Sequence, residues 1–195
     1  MLLPQPLKVR TRLLLALAFI GWLAFLACSI NVKKNGNGED KKVDINTPVG
    51  SIHVDKEASV EDTGLPVYPG AHPKKKEENG EEKNANVNLS AFGFGLKVVA
   101  VDYESDDPPA KLVAYYKDKL AKFGSVLECH TTNHVDYSRH GDQHSRQLTC
   151  DQNQGNNIEL KVGTEDNQHI VAVQPEGTGS SFALVYVRTH GRDTI

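Results

Sequence analysis

Four histidines lie in one stretch that begins and ends with a cysteine, and these residues are the most able to do chemistry. The stretch covers residues 129–150, CHTTNHVDYSRHGDQHSRQLTC, and contains His130, His134, His140 and His144. Imidazole is a common ligand of zinc and copper. The first question is therefore whether the fold can bring the four side chains to one metal ion.

A hairpin is the structure that this stretch predicts. With Cys129 opposite Cys150, the turn falls at residues 138–141, and side chains alternate between the two faces of the hairpin. One face then collects the mostly apolar set Leu127, Cys129, Val135, Tyr137, Leu148 and Cys150. The other face is polar. This separation supports the register and predicts a disulfide between Cys129 and Cys150, although two buried thiols or half of a metal site are alternatives.

The hairpin separates the histidines. His130 and His134 share the polar face about 13 Å apart, whereas His144 lies on the opposite face and His140 in the turn. A single site with ligands about 2.0–2.1 Å from zinc is excluded by that spacing. We expect a solvated hairpin closed by the disulfide, with His130 and His134 as the candidate ligands if the stretch does bind metal.

Motifs for enzymatic chemistry are missing from the sequence. It contains no G-x-S-x-G elbow, HExxH, S-x-x-K or phosphate-binding loop. The acidic pairs Asp106-Asp107 and Glu165-Asp166 are typical of a helix start and of a turn. We therefore predict a non-enzymatic protein with no catalytic residues and no cofactor.

An apolar segment near the N-terminus predicts export. Residues 13–27, LLLALAFIGWLAFLA, carry no charge and follow Lys8, Arg10 and Arg12. A basic region before a short apolar run is the layout of a secretory signal, because the basic residues stay on the cytoplasmic side. The rest of the chain is then expected outside the cytoplasm, facing the periplasm.

Three outcomes are open for this segment. Residues 25–28, FLAC, resemble the lipobox of bacterial lipoproteins, which implies a lipid on Cys28 and, through Ser29, sorting to the outer membrane. In the second outcome, the eighteen residues 13–30 remain as a membrane-spanning helix with Trp22 at the interface. In the third, cleavage releases a soluble protein. We expect the lipid anchor, since it assigns Cys28 to attachment and leaves one cysteine pair for a disulfide.

Charge argues against nucleic acid and anionic lipid as electrostatic partners. All 25 acidic residues and all but three of the 22 basic residues follow Cys28, so the exported part is acidic with a net charge of −6. Its length suits one domain with flexible segments.

Composition divides the chain into five further segments after the signal or anchor at residues 1–28. They are a polar tether (29–42), a β-hairpin (43–55), a turn segment (65–71), a charged mobile loop (72–86) and the main domain (87–190). Pro69 and Gly70 suit the centre of a type II turn, and Tyr68 beside them is expected to be buried.

The main domain predicts one helix and several strands. The helix has Asp107 as its N-cap, Pro108 in its first turn and Gly124 after its end, with an apolar stripe of Leu112, Tyr116, Leu120 and Phe123. Strands are expected at 87–91, 96–103, 125–137, 143–152, 157–162, 169–174 and 181–189. The fold class is therefore α+β, an antiparallel sheet with one main helix on a face and an N-terminal apolar anchor helix.

Two of these segments resemble a group of uncharacterised exported bacterial proteins and lipoproteins. The residues are 65–71 (LPVYPGA) and 106–124 (DDPPAKLVAYYKDKLAKFG), which follow the family pattern of a YPGA turn and a D-x-P…V-x-x-Y-Y-K-x-x-L helix. The resemblance covers residues 65–128 and implies a location in the cell envelope, without a known activity.

The expected function follows from these observations. We predict a membrane-anchored envelope lipoprotein with a structural or protein-binding role. The alternatives are a single-pass accessory protein of an envelope complex and a periplasmic metal or small-ligand binder that uses the histidine stretch.

Overall fold

The computed structural model describes residues 28–34, 40–74, 84–132, 147–150 and 153–190. The predicted anchor helix lies outside these residues. Within them the chain forms one α-helix, α1 (Pro109–Leu120), two short 3-10 helices (Val60–Thr63 and Ala121–Phe123) and ten strands. The strands are β1 (Ser29–Lys34), β2 (Asp40–Thr47), β3 (Gly50–Asp55), β4 (His72–Pro73), β5 (Ala85–Ala91), β6 (Phe94–Ser105), β7 (Leu127–Thr131), β8 (Asn157–Thr164), β9 (Asn167–Glu176) and β10 (Gly179–His190).

All ten strands join one antiparallel sheet. Its order is β1-β2-β3-β5-β6-β10-β9-β8-β7, and β4 also pairs with β6. The helix packs against β8 and β9. The α+β class with an antiparallel sheet and one helix on it is confirmed. The predicted centrality of the apolar run at 96–103 also holds, because β6 pairs on both sides.

The main core lies between the helix and the sheet. Leu112, Val113, Tyr116 and Leu120 are the buried residues of α1, as the stripe predicts for its first three turns. They pack with buried side chains of four neighbouring strands: Val99, Val101, Tyr103, Leu160, Val162, Val171, Val173, Phe182 and Leu184. Phe123, the last residue of the predicted stripe, is instead 37% exposed.

The helix begins one residue later than predicted. Pro108 is the N-cap, in an extended conformation, and no side chain caps the helix. The Asp107 carboxylate accepts from Tyr68 Oη (2.8 Å) and Lys111 Nζ (2.6 Å) instead. Its side chain therefore fastens the helix start to the turn segment and to the next helical turn.

The turn segment packs against the helix. Leu65 is buried, and the amide of Ala71 donates to the carbonyl of Tyr68 around Gly70, whose φ of +78° suits a type II turn. The rings of Tyr68 and Tyr115 meet edge to face, with centroids 5.1 Å apart. The two segments that carry the family resemblance are thus in direct contact.

The prediction of a flexible tether at residues 29–42 is wrong for residues 29–34 and 40–42, which belong to strands. Residues 29–34 form β1, and β2 already begins at Asp40. Ile30 pairs with Ile45 and Val32 with Val43, so apolar cross-strand pairs and backbone hydrogen bonds hold a segment whose composition alone favours a flexible chain. The hairpin predicted for 43–55 is present as β2 and β3, with Val43 opposite Val54 and Ile45 opposite Ile52.

The charged loop predicted for residues 72–86 is shorter than expected. His72 and Pro73 pair with β6 as β4, and residues 85–86 belong to β5. The amide of Lys74 donates to the carbonyl of Asp102, and the amide of Asp102 donates to Asn84 Oδ1. Both ends of the intervening stretch are therefore fixed at one residue of β6.

The prediction of a hairpin over residues 129–150 is wrong for the part of this range that the structure describes, residues 129–132 and 147–150. β7 pairs with β8, so that Cys129 lies opposite Glu159, and residues 147–150 form no strand. A disulfide needs only Cα atoms about 4.4–6.8 Å apart, which a segment outside the ladder can also satisfy. Strands predicted at 157–162, 169–174 and 181–189 correspond to β8, β9 and β10 with longer ends.

Candidate functional site

Cys28 lies at the very start of the described structure. Its side chain is exposed and outside the disulfide, and β1 begins at the next residue, Ser29. The thiol is therefore accessible at the end of an edge strand. Among the described residues there is no helix with the length and apolarity needed to cross a membrane.

The disulfide between Cys129 and Cys150 is present, as predicted. Cys129 is 1% exposed and lies on β7, and the two Cα atoms are 5.5 Å apart. Because Cys129 is opposite Glu159 in the β7–β8 register, its side chain lies on the sheet face away from α1. The bond therefore holds residues 147–150 beside that face.

The candidate ligand His130 has a carboxylate partner on its own strand. Its Nε2 atom lies 3.2 Å from Glu128 Oε1, and Glu128 Oε2 lies 2.5 Å from Lys117 Nζ on α1. The ion pair with Lys117, followed by His130, holds the pKa of Glu128 below its usual range. The carboxylate beside His130 is therefore already paired with an ammonium group, which opposes binding of a further cation there.

The structure describes one of the four histidines, His130. His134, His140 and His144 lie outside the described residues. Within the described ranges, no group of three or more His, Cys, Asp or Glu side chains is placed to hold a metal ion. The Lys117–Glu128–His130 chain was not predicted, since nothing in the sequence says that this helix face meets β7.

A tyrosine cluster joins the turn segment to α1. Tyr116 is fully buried, and its hydroxyl donates to the carbonyl of Pro66 at 3.2 Å, while Tyr115 donates to Val67 at 3.5 Å. Burial raises the pKa of Tyr116 strongly, and the bond to Asp107 raises the pKa of Tyr68. Both phenols therefore keep their protons near neutral pH, and the cluster has a structural role.

His169 is the half-buried titratable group on the helix side of the sheet. Its ring stacks on Phe123 at 3.9 Å and lies 4.9 Å from the Tyr186 ring. Nδ1 lies 2.9 Å from the carbonyl of Thr63, which fixes this nitrogen as the donor. Burial lowers the pKa of His169, although the bond to Thr63 acts in the opposite direction.

A buried ion pair lies on the other sheet face. Glu159 Oε2 is 3.0 Å from Lys161 Nζ, and the two side chains are only 4% and 12% exposed. The alternation of β8 accounts for the pair, because residues two apart share a face. In the sequence NIELKV the two charged residues alternate with apolar ones, so this spacing is the signal from which the pair could be predicted.

No protein-family model, curated protein or solved structure matches this chain.

Proposed function

We propose that the chain is a bacterial cell-envelope lipoprotein, anchored through Cys28, that faces the periplasm and has a non-enzymatic structural or protein-binding role. The observation that carries the proposal is the position of Cys28. It is exposed, follows fifteen uncharged residues that end with Ala27, and immediately precedes the first strand. A lipid on this residue leaves the whole described fold outside the bilayer.

The start of β1 favours the lipid over a spanning helix. Ser29 and Ile30 belong to β1 and pair with Asn46 and Ile45. The apolar stretch that remains for a helix is then residues 13–28, sixteen residues. A membrane-spanning helix needs about 17 or more.

The disulfide supports a location outside the cytoplasm. Bonds of this kind persist in the periplasm and are rare where thiol reductants are abundant. With Cys129 and Cys150 bonded, Cys28 is the remaining cysteine. An oxidising compartment and a single cysteine for attachment agree with the lipoprotein assignment.

The position of β1 at one edge of the described sheet supports a binding role. All six residues of β1 are exposed, and among the described strands β1 is the last on its side of the sheet. An extended segment of another protein can add to an edge strand by backbone pairing. The sheet therefore provides a surface for a protein partner.

Labelling with radioactive palmitate tests the anchor. We expect the full chain, expressed in a bacterial host, to incorporate the label and to lose it in Cys28→Ser. A Cys129→Ala/Cys150→Ala variant is the matched control and retains the label. Label that persists in Cys28→Ser, or a mature protein whose mass includes residues 1–27, contradicts the proposal.

A further inference from the structure

Two apolar rows cross the sheet face that lies opposite α1. The registers place Ile30, Ile45, Ile52, Leu89 and Leu96 in one row, and Val32, Val43, Val54, Val87, Val98 and Val187 in the next. The other face of the same strands carries Asn31, Asp44, His53, Asn88 and Lys97. The outer half of the sheet is therefore apolar on the face away from the helix.

One end of this sheet gathers Cys28 and two turns, and we call it the attachment end. It consists of Cys28, the β2–β3 turn (47–50) and the β5–β6 turn (91–94). Ser29 pairs with Asn46 next to the first turn, and the amide of Phe92 donates to the carbonyl of Val49 at 3.2 Å. Cys28 and Phe92 are about three strand spacings apart, or roughly 14 Å.

Exposed apolar side chains concentrate at this end. Of the seven large exposed hydrophobic residues in the described ranges, six lie on these rows or turns: Ile30, Val32, Val49, Ile52, Phe92 and Phe94. The exposed fraction falls with distance from the end, from 67% at Ile30 to 40% at Val32. Further inward on the same face, Val187 and Val185 are buried.

Phe92 is unusual in both exposure and backbone conformation. It is 73% exposed and has a φ of +51°, followed by Gly93 at +84°. Two positive φ values are typical of a type I′ hairpin turn, where Asn or Gly is preferred at the first position. Neither the turn geometry nor core packing accounts for a phenylalanine here, which points to a contact outside the chain.

Acidic residues lie at the opposite end of the sheet. Asp55 ends β3, and Asp102, Glu104, Asp106 and Asp107 lie at or after the end of β6. Lys42, Lys74 and Lys111 form ion pairs there with Asp55, Glu104 and Asp107. The exposed apolar side chains therefore lie at the end that carries Cys28, whereas the opposite end carries paired charges.

We propose that the attachment end contacts the lipid bilayer, with Phe92 and Val49 inserted at the boundary between headgroups and acyl chains. This inference rests on the proposed anchoring through the N-terminal segment. Lipid is the occupant because β1 starts directly after Cys28, so an anchored chain holds this end against the membrane. Exposed aromatic and aliphatic side chains bind that boundary through buried apolar area.

Tryptophan fluorescence in vesicles tests the contact. Trp22 is the single tryptophan of the chain, so we combine Trp22→Phe with Phe92→Trp in the full chain. The vesicles contain phosphatidylcholine and phosphatidylglycerol, with or without brominated acyl chains. The matched control is Trp22→Phe with Phe123→Trp, since Phe123 is 37% exposed beside the helix.

We expect brominated lipid to quench the tryptophan at position 92 at least threefold more than the one at position 123, with a blue-shifted emission. If the chain floats with the vesicles but both tryptophans are quenched equally little, the contact is refuted and the anchoring stands. A chain that does not float refutes the anchoring itself. A blue shift that grows with protein density and is insensitive to bromine shows a second copy at this end, which also overturns the inference.

Discussion

Tyr115 and Tyr116 of α1 both donate a hydrogen bond to the turn segment, but the two side chains differ in burial. Tyr116 is fully buried with a 3.2 Å bond to the Pro66 carbonyl, whereas Tyr115 is half-buried and its bond to Val67 is 3.5 Å long. A typical hydrogen bond within a protein contributes about 0.5–1.5 kcal/mol to stability. The two hydroxyl groups therefore form a natural pair for mutation.

Tyr116→Phe is expected to lower the free energy of unfolding by about 1 kcal/mol, because it removes a hydrogen bond donated by a fully buried side chain. Tyr115→Phe is the control and should change it by about 0.5 kcal/mol or less. Urea denaturation of both variants provides the measurement. Equal effects of the two substitutions would show that the buried hydrogen bond is not the dominant contribution.

His169 predicts a pH dependence of stability. Because burial holds the folded-state pKa below the usual value of about 6.5, the unfolded chain binds the proton first as pH falls. Stability should therefore decrease as pH drops through about 6.5. In His169→Phe, which keeps an aromatic ring beside Phe123, the loss between pH 7.5 and 5.5 measured by denaturation should be smaller. An unchanged loss would rule out His169 as its source.

At the scale of elements, the disulfide has a role that differs from the one its sequence suggests. The sequence predicts that Cys129 and Cys150 join two paired strands, yet residues 147–150 form no strand. The bond therefore ties a segment outside the sheet to β7. Its position on the edge strand β7 leaves β8, β9 and β10 paired independently of it.

Removing the disulfide should loosen one region and lower overall stability. For Cys129→Ala/Cys150→Ala we expect a loss of about 3 kcal/mol, from the chain-entropy model for a loop of this size. Alanine avoids burying an unpaired hydroxyl at position 129. Hydrogen exchange should show faster exchange at residues 147–150 while β9 and β10 keep their relative order of protection. Exchange at residues 147–150 that is accelerated no more than exchange in β9 and β10 would contradict this local role.

The sequence predicted elements well where periodicity was strong. The stripe of α1 and the long strands β6, β8, β9 and β10 follow from alternation or helical spacing. The sequence did not predict a strand whose stability depends on pairing with another segment of the chain. The segment 29–34 has a polar composition, and only the opposite residues of β2 stabilise it as a strand.

The candidate sites likewise include contacts that the sequence predicts and contacts that it does not. The Cys129–Cys150 bond was predictable from a cysteine pair together with the expectation of export. The Asp107 bonds to Tyr68 and Lys111 were not, because a carboxylate before a helix usually caps it. The attachment end also escaped prediction, since three separate segments contribute two exposed apolar residues each.

At the scale of the whole molecule, the helix covers only part of a wide sheet. It packs on β8 and β9, while β1, β2, β3 and β5 extend the sheet to the other side. The twelve residues of β6 span about 40 Å between the two ends. In a chain anchored at Cys28 as proposed, a partner that binds the opposite end of β6 would meet the protein about that far from the bilayer.

The hydrogen bonds on either side of residues 75–83 make this stretch suitable for insertions. Lys74 and Asn84 both hydrogen-bond the backbone of Asp102. The chain therefore leaves β6 and returns to it at the same residue. Each doubling of the length between them costs only about 0.6 kcal/mol in closure entropy. The position can therefore accept an inserted epitope or reporter domain without a change of register in β6.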